Sequence, residues 1–436
     1  MKRVLIITYY WPPSGGSGVQ RWLKMSKYLP ENGWQPVIYT TENAEYPIID
    51  PSLEKDVPPE AEVIRRPIFE PYSFYKRFLG IKKDETVKAG FIREEAKKKG
   101  WKEGLALWIR GNLFIPDARR WWIKPSVRYL KSYLKEHPVD AIISTGPPHS
   151  MHLIAMKLKE AFGLPWIADF RDPWTEIDYY KDLKLGKRAD RKQHQKEHAV
   201  LTNANQVVVV SHDMKNSFDH LDARKTKVIM NGYDWTPSEM QQNISLSERF
   251  TLSHVGVLGS NRNSPIFWET VKELANENLD FKNSLDLQLI GQVDHSIIET
   301  IEANGLKDKV SIIPYIPHAE VIRKQQSSQV LLLFINNTPN AKGILTGKLF
   351  EYLATARPIL CIGPEDGDAA RIISENKAGY TVGFQQKEEM KETIKMLFDL
   401  YQKGELTGNK NLSISNFSRE SLTKQYVAAL NEEIHG

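Results

Sequence analysis

Residues 140–170 read DAIISTGPPHSMHLIAMKLKEAFGLPWIADF, and this stretch decides the fold. DAIIS is a short β-branched run closed by the turn formers of TGPP, which marks a strand and its exit. Met151, Ile154, Ala155, Leu158 and Phe162 then recur at three- and four-residue spacing, on one face of a helix. PWIADF follows as a second extended run. Strand, helix and strand in so short a span make one crossover unit of a parallel sheet.

The same alternation extends in both directions. Towards the N-terminus stand VLIIT and PVIYT, and further along come QVVVVS and KVIM. After NGYDWTPSEMQQN, a polar and turn-rich linker, it restarts with FTLSHVG, LDLQLIG, VSIIPYI, QVLLLFI, RPILCIG and YTVGF. The expected fold class is therefore α/β: two doubly wound Rossmann-like domains facing a cleft, over residues 1–240 and 250–412, with a C-terminal helix over 413–436. In that helix Leu422, Tyr426, Ala429 and Leu430 share one stripe. A chain of 436 residues is long enough for two cores. No internal repeat points to a solenoid.

Composition narrows the function classes. Hydrophobic residues at 41% and charged residues at 26% describe a chain that folds throughout. The single cysteine, Cys361, excludes an internal disulfide and a multi-cysteine zinc site, and its place in ILCIG predicts burial in a reducing, cytoplasmic setting. The N-terminal MKRVLIITYYWPP reads as a first strand rather than a signal peptide, and no apolar run has membrane-spanning length. The net charge of +5 does not imply nucleic acid. Alternation breaks over about 72–125, where Lys, Glu and Ala accompany Trp101, Trp108, Trp121 and Trp122. This insertion reads either as helices whose tryptophans dock on the first domain or as a basic, aromatic surface for a membrane or lipid-linked acceptor.

Ligands of doubly wound sheets sit beyond the carboxyl ends of the strands, so the loops there are the candidate sites. After VLIIT, Gly15, Gly16 and Gly18 form a turn into a helix, where backbone N–H groups and the helix dipole favour an anion. After DAIIS, His149 stands at a helix entrance. It either hydrogen-bonds a sugar hydroxyl or phosphate, or simply caps its helix. ADFRDPW groups Asp169, Arg171 and Asp172, which either line the cleft to meet an acceptor or form a structural ion-pair network. The second domain offers Gly256, Gly259 and Arg262 after its first strand. In NNTPNAKGILTGKLFEYLATARPIL, Gly343 and Gly347 deliver Thr346, Lys348 and Glu351 to a helix start. Backbone donors with Lys348 suit a pyrophosphate, and Glu351 one turn later suits ribose hydroxyls. No GxSxG elbow, GxxxxGK[ST] loop, HExxH or CxxC is present, which argues against hydrolase, kinase and zinc-enzyme readings.

Taken together, PPSGGSGVQRWLKMSKYLPENGW, STGPPHSMHL, WIADFRDPW, VVVVSHDM, VIMNGYD and TGKLFEYLATARPIL resemble the bacterial GT-B glycosyltransferases of family 4 that act in surface-polysaccharide assembly. The resemblance implies an N-terminal acceptor domain, a C-terminal domain that binds a nucleoside diphosphate sugar, and a C-terminal helix that crosses back to the first domain. It places the family's glycine-rich loop on Gly15 and Gly16, its cleft histidine on His149, its phosphate-binding arginine on Arg262 and its ribose-binding glutamate on Glu351. Two positions depart from the pattern. Gly343 stands where many members carry a second glutamate, and the lysine that usually follows the arginine is missing from NRNSP, so part of its charge falls to Lys348.

The resemblance further implies transfer with retention, no metal or other cofactor, a saccharide or lipid-linked acceptor, and a cytoplasmic protein in peripheral contact with the inner membrane face. A nonhydrolysing sugar-nucleotide epimerase and a non-enzymatic nucleotide-binding protein share the fold and remain as alternatives. The first would need an acid–base pair beyond the ADFRDPW cluster. The second is disfavoured because GGSGVQ lacks the third glycine of a dinucleotide fingerprint.

Overall fold

The computed structural model describes residues 1–70, 101–223, 225–235, 244–408 and 414–435. The chain divides into two compact units, Met1–Met230 with Arg419–Gly436, and Asn231–Ser418. The division falls at the start of the NGYDW linker, and the C-terminal helix, Arg419–His435, belongs to the first unit.

The first unit carries β1 (Lys2–Ile7), β2 (Trp34–Thr41), β3 (Glu62–Arg66), β4 (Ala141–Gly146), β5 (Trp166–Phe170), β6 (Gln206–Val209) and β7 (Thr226–Val228). They form a parallel seven-stranded sheet in the order β3-β2-β1-β4-β5-β6-β7. Alternate residues of β1 feed opposite cores: Leu5 and Ile7 join Met151, Ile154 and Leu158, while Val4 and Ile6 join Trp22 and Leu23. Burial on both faces is why these strands read as unbroken apolar runs. Leu422, Tyr426, Ala429 and Leu430 complete the second core, with the Tyr426 ring centroid 5.0 Å from that of Trp22. Sequence reasoning missed β3, an edge strand in which only Ile64 is buried.

Residues 71–100 lie outside the described residues, and much of the insertion expected over 72–125 falls there. Its described part includes the helix Trp101–Leu113 and the start of the helix Arg120–Glu136. Trp122 docks as one reading expected, stacked on Tyr39 at 4.9 Å. Trp108 and Trp121 stay 47% and 41% exposed, although Trp121 packs edge-on against Phe114 with ring centroids 5.2 Å apart.

The second unit carries β8 (Phe250–Val255), β9 (Leu285–Ile290), β10 (Val310–Ile313), β11 (Val330–Phe334), β12 (Ile359–Ile362) and β13 (Gly379–Val382). Its parallel sheet runs β10-β9-β8-β11-β12-β13. Cys361 is buried in β12, and burial pushes its thiol up to about 12, so it packs as a small hydrophobe.

Each sheet reverses its strand order once, between β1 and β4 and between β8 and β11. The loops leaving the two central strands then turn away to opposite sides, and the crevice between them is where open α/β sheets hold ligands. Among the described residues no helix is long and apolar enough to cross a membrane.

Candidate functional site

In the second unit the switch point joins the exit of β8 to the helix Gly347–Thr355 that follows β11. The Val255 amide donates to the Tyr352 hydroxyl at 2.9 Å, which pins the helix to the strand end. Beyond it Gly256 adopts a φ of +103°, a left-handed conformation that glycine reaches freely. Lys348 lies over this glycine. Its Nζ donates to His254 Nε2 at 3.0 Å and to the Val257 carbonyl at 3.1 Å. Arg262 donates from Nη1 to the same carbonyl at 3.1 Å and from Nε to Asn336 Oδ1 at 2.6 Å. Two cations thus meet on one neutral oxygen.

That convergence shifts their chemistry. Burial first, and then the neighbouring Arg262, hold the Lys348 amine well below its ordinary range, with Glu351 opposing. His254 is likewise held well below the imidazole range by burial and by Lys348. Its Nδ1 faces the Leu332 carbonyl at 3.0 Å. A carbonyl only accepts, so Nδ1 carries the proton and Nε2 turns a lone pair to Lys348. An anion placed at these cations would relieve their repulsion.

The surrounding residues leave room for one. Thr346, at the N-cap, makes no side-chain cap bond, and its Oγ1 is buried without a partner. An added Cβ at Gly347 would meet nothing within 4 Å. At Gly259 it would come 3.2 Å from Asn261 Oδ1. Glu351, one turn into the helix, accepts from Gln325 Nε2 at 3.4 Å. Gly256 is the tightest position, since a Cβ there would stand 2.5 Å from Lys348 Cε. Gly256→Ala is therefore expected to displace Lys348 and weaken binding of an anion there, with UDP as the probe, at least about tenfold, with a backbone cost on the order of 1–3 kcal/mol. Calorimetric titration and a thermal melt check the two parts.

The first unit builds a different crevice. The glycine-rich loop is tied to the segment ahead of β3: Gly15 N donates to the Ile48 carbonyl at 2.9 Å, and Asp50 N to the Pro13 carbonyl at 2.8 Å. Gly16, at a φ of +83°, starts the helix Ser17–Tyr28. Arg171 staples the start of that helix to the loop after β4, donating from Nη1 to the Gly18 carbonyl at 2.9 Å and from Nη2 to the Pro147 carbonyl.

His149 stands at the N-cap of the helix Ser150–Phe162, yet its side chain makes no cap bond. Asp117 caps that helix instead, accepting from the Ser150 amide at 2.9 Å and its hydroxyl at 2.8 Å. The capping role considered for His149 is thus overturned by an acid 33 residues away from Ser150. The His149 ring is 7% exposed and stacks on Trp174 at 4.5 Å, with planes 5° apart. Burial, then His152 and Arg171, hold it well below the usual imidazole range, so it is neutral at neutral pH.

The ADFRDPW residues separate into different roles. Asp169 is fully buried and accepts from Arg21 Nη2 at 3.0 Å, Trp22 Nε1 at 2.7 Å and Thr145 Oγ1 at 2.8 Å, as well as from the Tyr426 hydroxyl. Of its two readings the structural one describes Asp169. Arg171 is the staple, and Asp172 is exposed. Among the described residues no cluster of His, Cys, Asp or Glu could hold a metal ion.

Residues 92–236 match the family model Glycosyltransferase Family 4. The matched segment is similar to that family. It takes in the exit of β4, with His149, and the Arg171 staple. No curated protein sequence matches the chain closely. Solved structures similar to it include sucrose-phosphate synthase from Thermosynechococcus elongatus, at 14% identity, 99% coverage of each chain and a TM-score of 0.63. Anabaena HepE in complex with UDP-glucose is 12% identical, with 100% of this chain and 98% of that one covered and a TM-score of 0.55. A Listeria monocytogenes protein described as a UDP-N-acetylglucosamine 2-epimerase is 10% identical, with 99% and 96% covered and a TM-score of 0.53. At such identities the likeness is one of fold, the GT-B pair of Rossmann-like sheets.

Several residues around the matched segment and the second switch point escaped sequence reasoning. Asp117, Trp174, Arg21 and Asn336 act through partners far away in sequence. His254 had a local signal: it shares the inward parity of Phe250 and Leu252 in FTLSHV, where an apolar residue would be ordinary.

Proposed function

We propose that the protein is a glycosyltransferase that moves a sugar from a nucleoside diphosphate sugar to a saccharide or lipid-linked acceptor, with retention, in the assembly of cell-surface polysaccharide or glycoconjugate. The observation that carries this reading is the meeting of Lys348 and Arg262 on the Val257 carbonyl at the switch point of the second sheet. Two cations beside a helix start, in need of an anion, suit the diphosphate. Thr346, Gly347 and Gly259 offer hydroxyl and backbone donors, and Glu351 accepts from the ribose hydroxyls.

As the bond from the sugar's anomeric carbon to the β-phosphate oxygen breaks, negative charge grows on the departing diphosphate, and Lys348 and Arg262 stabilise it. The acceptor oxygen bonds the same face of that carbon and passes its proton to a departing phosphate oxygen. No carboxylate nucleophile or metal is required. In the first unit Gly15 and Gly16 shape the crevice, and neutral His149 offers a hydrogen bond to a sugar hydroxyl. Exposed Trp108 and Trp121, with the Arg120 guanidinium 5.6 Å from the Trp121 ring, suit peripheral contact with an anionic membrane face.

The test is a panel of nucleotide sugars with released nucleoside diphosphate as readout. Slow release from one donor, abolished by Glu351→Ala, supports the reading. Conversion of the sugar without release would instead favour an epimerase, whose fold is shared. Neither reaction from any donor, with no thermal stabilisation by any nucleoside diphosphate, would overturn both.

A further inference from the structure

We propose that His254 is a positioning residue that presents the Lys348 amine to the diphosphate, an inference that rests on the donor site proposed above. Lysine is a flexible point charge on four rotatable bonds, poorly suited to holding one position unaided. Here it lies in the trough left by the absent Cβ of Gly256, and two of its N–H groups have fixed acceptors, His254 Nε2 and the Val257 carbonyl. The third is left for the ligand. The imidazole is itself immobile: it is 1% exposed, tied to the Leu332 carbonyl at 3.0 Å and packed against Phe334 with ring centroids 5.5 Å apart.

The choice of a neutral ring has a chemical reason. A carboxylate facing Lys348 would form an ion pair and compete with the diphosphate for its charge. A lone pair on a neutral nitrogen orients the ammonium while leaving that charge uncompensated. The ionisable groups around the Lys348 amine are Arg262 from the loop after β8, Glu351 from its own helix and His254 itself. Arg262 drives the proton off and Glu351 holds it on. Loss of the His254 lone pair removes an acceptor from the protonated amine, so Lys348 should deprotonate at lower pH and diphosphate binding should fail there.

The experiment is calorimetric titration of UDP, with GDP, ADP and dTDP in parallel, into the full chain across a pH series. Wild type is compared with His254→Leu, His254→Asn and His254→Gln. A glutamine places an acceptor oxygen near the position of Nε2, whereas asparagine is polar but too short to reach. At neutral pH, Leu and Asn should raise Kd roughly 10- to 100-fold, the loss expected for one hydrogen bond to a charged group. The alkaline limb of binding should move to lower pH in both. His254→Gln should stay within a few-fold of wild type and keep its limb. Thermal melts identify any variant that does not fold, and the contrast between Asn and Gln decides the matter if Leu is lost. Wild-type affinity and an unmoved limb in a folded His254→Asn would overturn the positioning role alone. No binding of any nucleotide by wild type would overturn the donor site and this role with it.

Discussion

Lys348→Ala and Arg262→Ala should each slow diphosphate release from the preferred nucleotide sugar by on the order of 10²-fold, the loss typical of one preorganised charged donor. The double variant should lose less than the product of the two, because both cations share the Val257 carbonyl and act on one anion. The same geometry predicts the opposite effect on stability. Lys348 is held below its ordinary range by burial and by Arg262, so keeping a protonated amine there costs the unliganded fold stability. Lys348→Met should therefore melt at or above the wild-type temperature, the relief of that cost outweighing the two lost hydrogen bonds.

The sign in pH follows from linkage. Between the lowered pKa of Lys348 and its ordinary value of about 10.4, the unfolded chain binds the extra proton, so this group's contribution to the stability of the free protein rises with pH in that window. A saturating diphosphate, which restores the proton, should cancel the rise. Melts across pH with and without UDP, and with Lys348→Met, read this directly.

The second large effect lies in the first unit. Arg21→Met should destabilise it by about 3–5 kcal/mol, because Asp169 would stay buried with its main counter-charge removed. Arg21 also donates to the Ile229 and Met230 carbonyls at 2.7 and 2.8 Å, and those acceptors would be orphaned too. In a unit of this size the apparent melting temperature should fall by on the order of 10 °C. Pairing the change with Asp169→Leu should recover part of the loss, since an apolar pair no longer strands a charge. Burial alone would raise the Asp169 carboxyl, but Arg21 carries it below the usual range. The pair's contribution is thus present above the ordinary carboxylate pKa and is lost as pH falls through the lowered one. The Tyr426 hydroxyl also donates to Asp169, so the C-terminal helix should loosen with the pair, visible as faster amide exchange over 419–435.

What was legible in the sequence follows from how far apart the interacting residues stand. In the second sheet β11 and β12 showed because both faces of each are buried, giving VLLLF and ILCI no polar interruption. Lys348 and Glu351 showed because three residues of helix put them on one face. β3 did not, because at a sheet edge EVIRR buries a single side chain. Asp117 capping Ser150, Arg21 meeting Asp169 across 148 residues, and Arg262 meeting Asn336 across 74 leave no local trace. ADFRDPW looked like one group because its charges are adjacent in sequence, yet β5 sends Asp169 into the core while Arg171 and Asp172 lie beyond the strand end. A buried histidine in FTLSHV was the signal that remained to be used.

The most direct measurement is hydrogen exchange of the full chain with and without saturating UDP, or whichever nucleoside diphosphate binds most tightly. The expected result is protection of the amides over 256–264 and 344–351, the two loops that meet at the switch point of the second sheet. Protection confined to the loops over 12–18 and 146–150 of the first unit, or protection nowhere, would contradict a diphosphate held by Lys348 and Arg262.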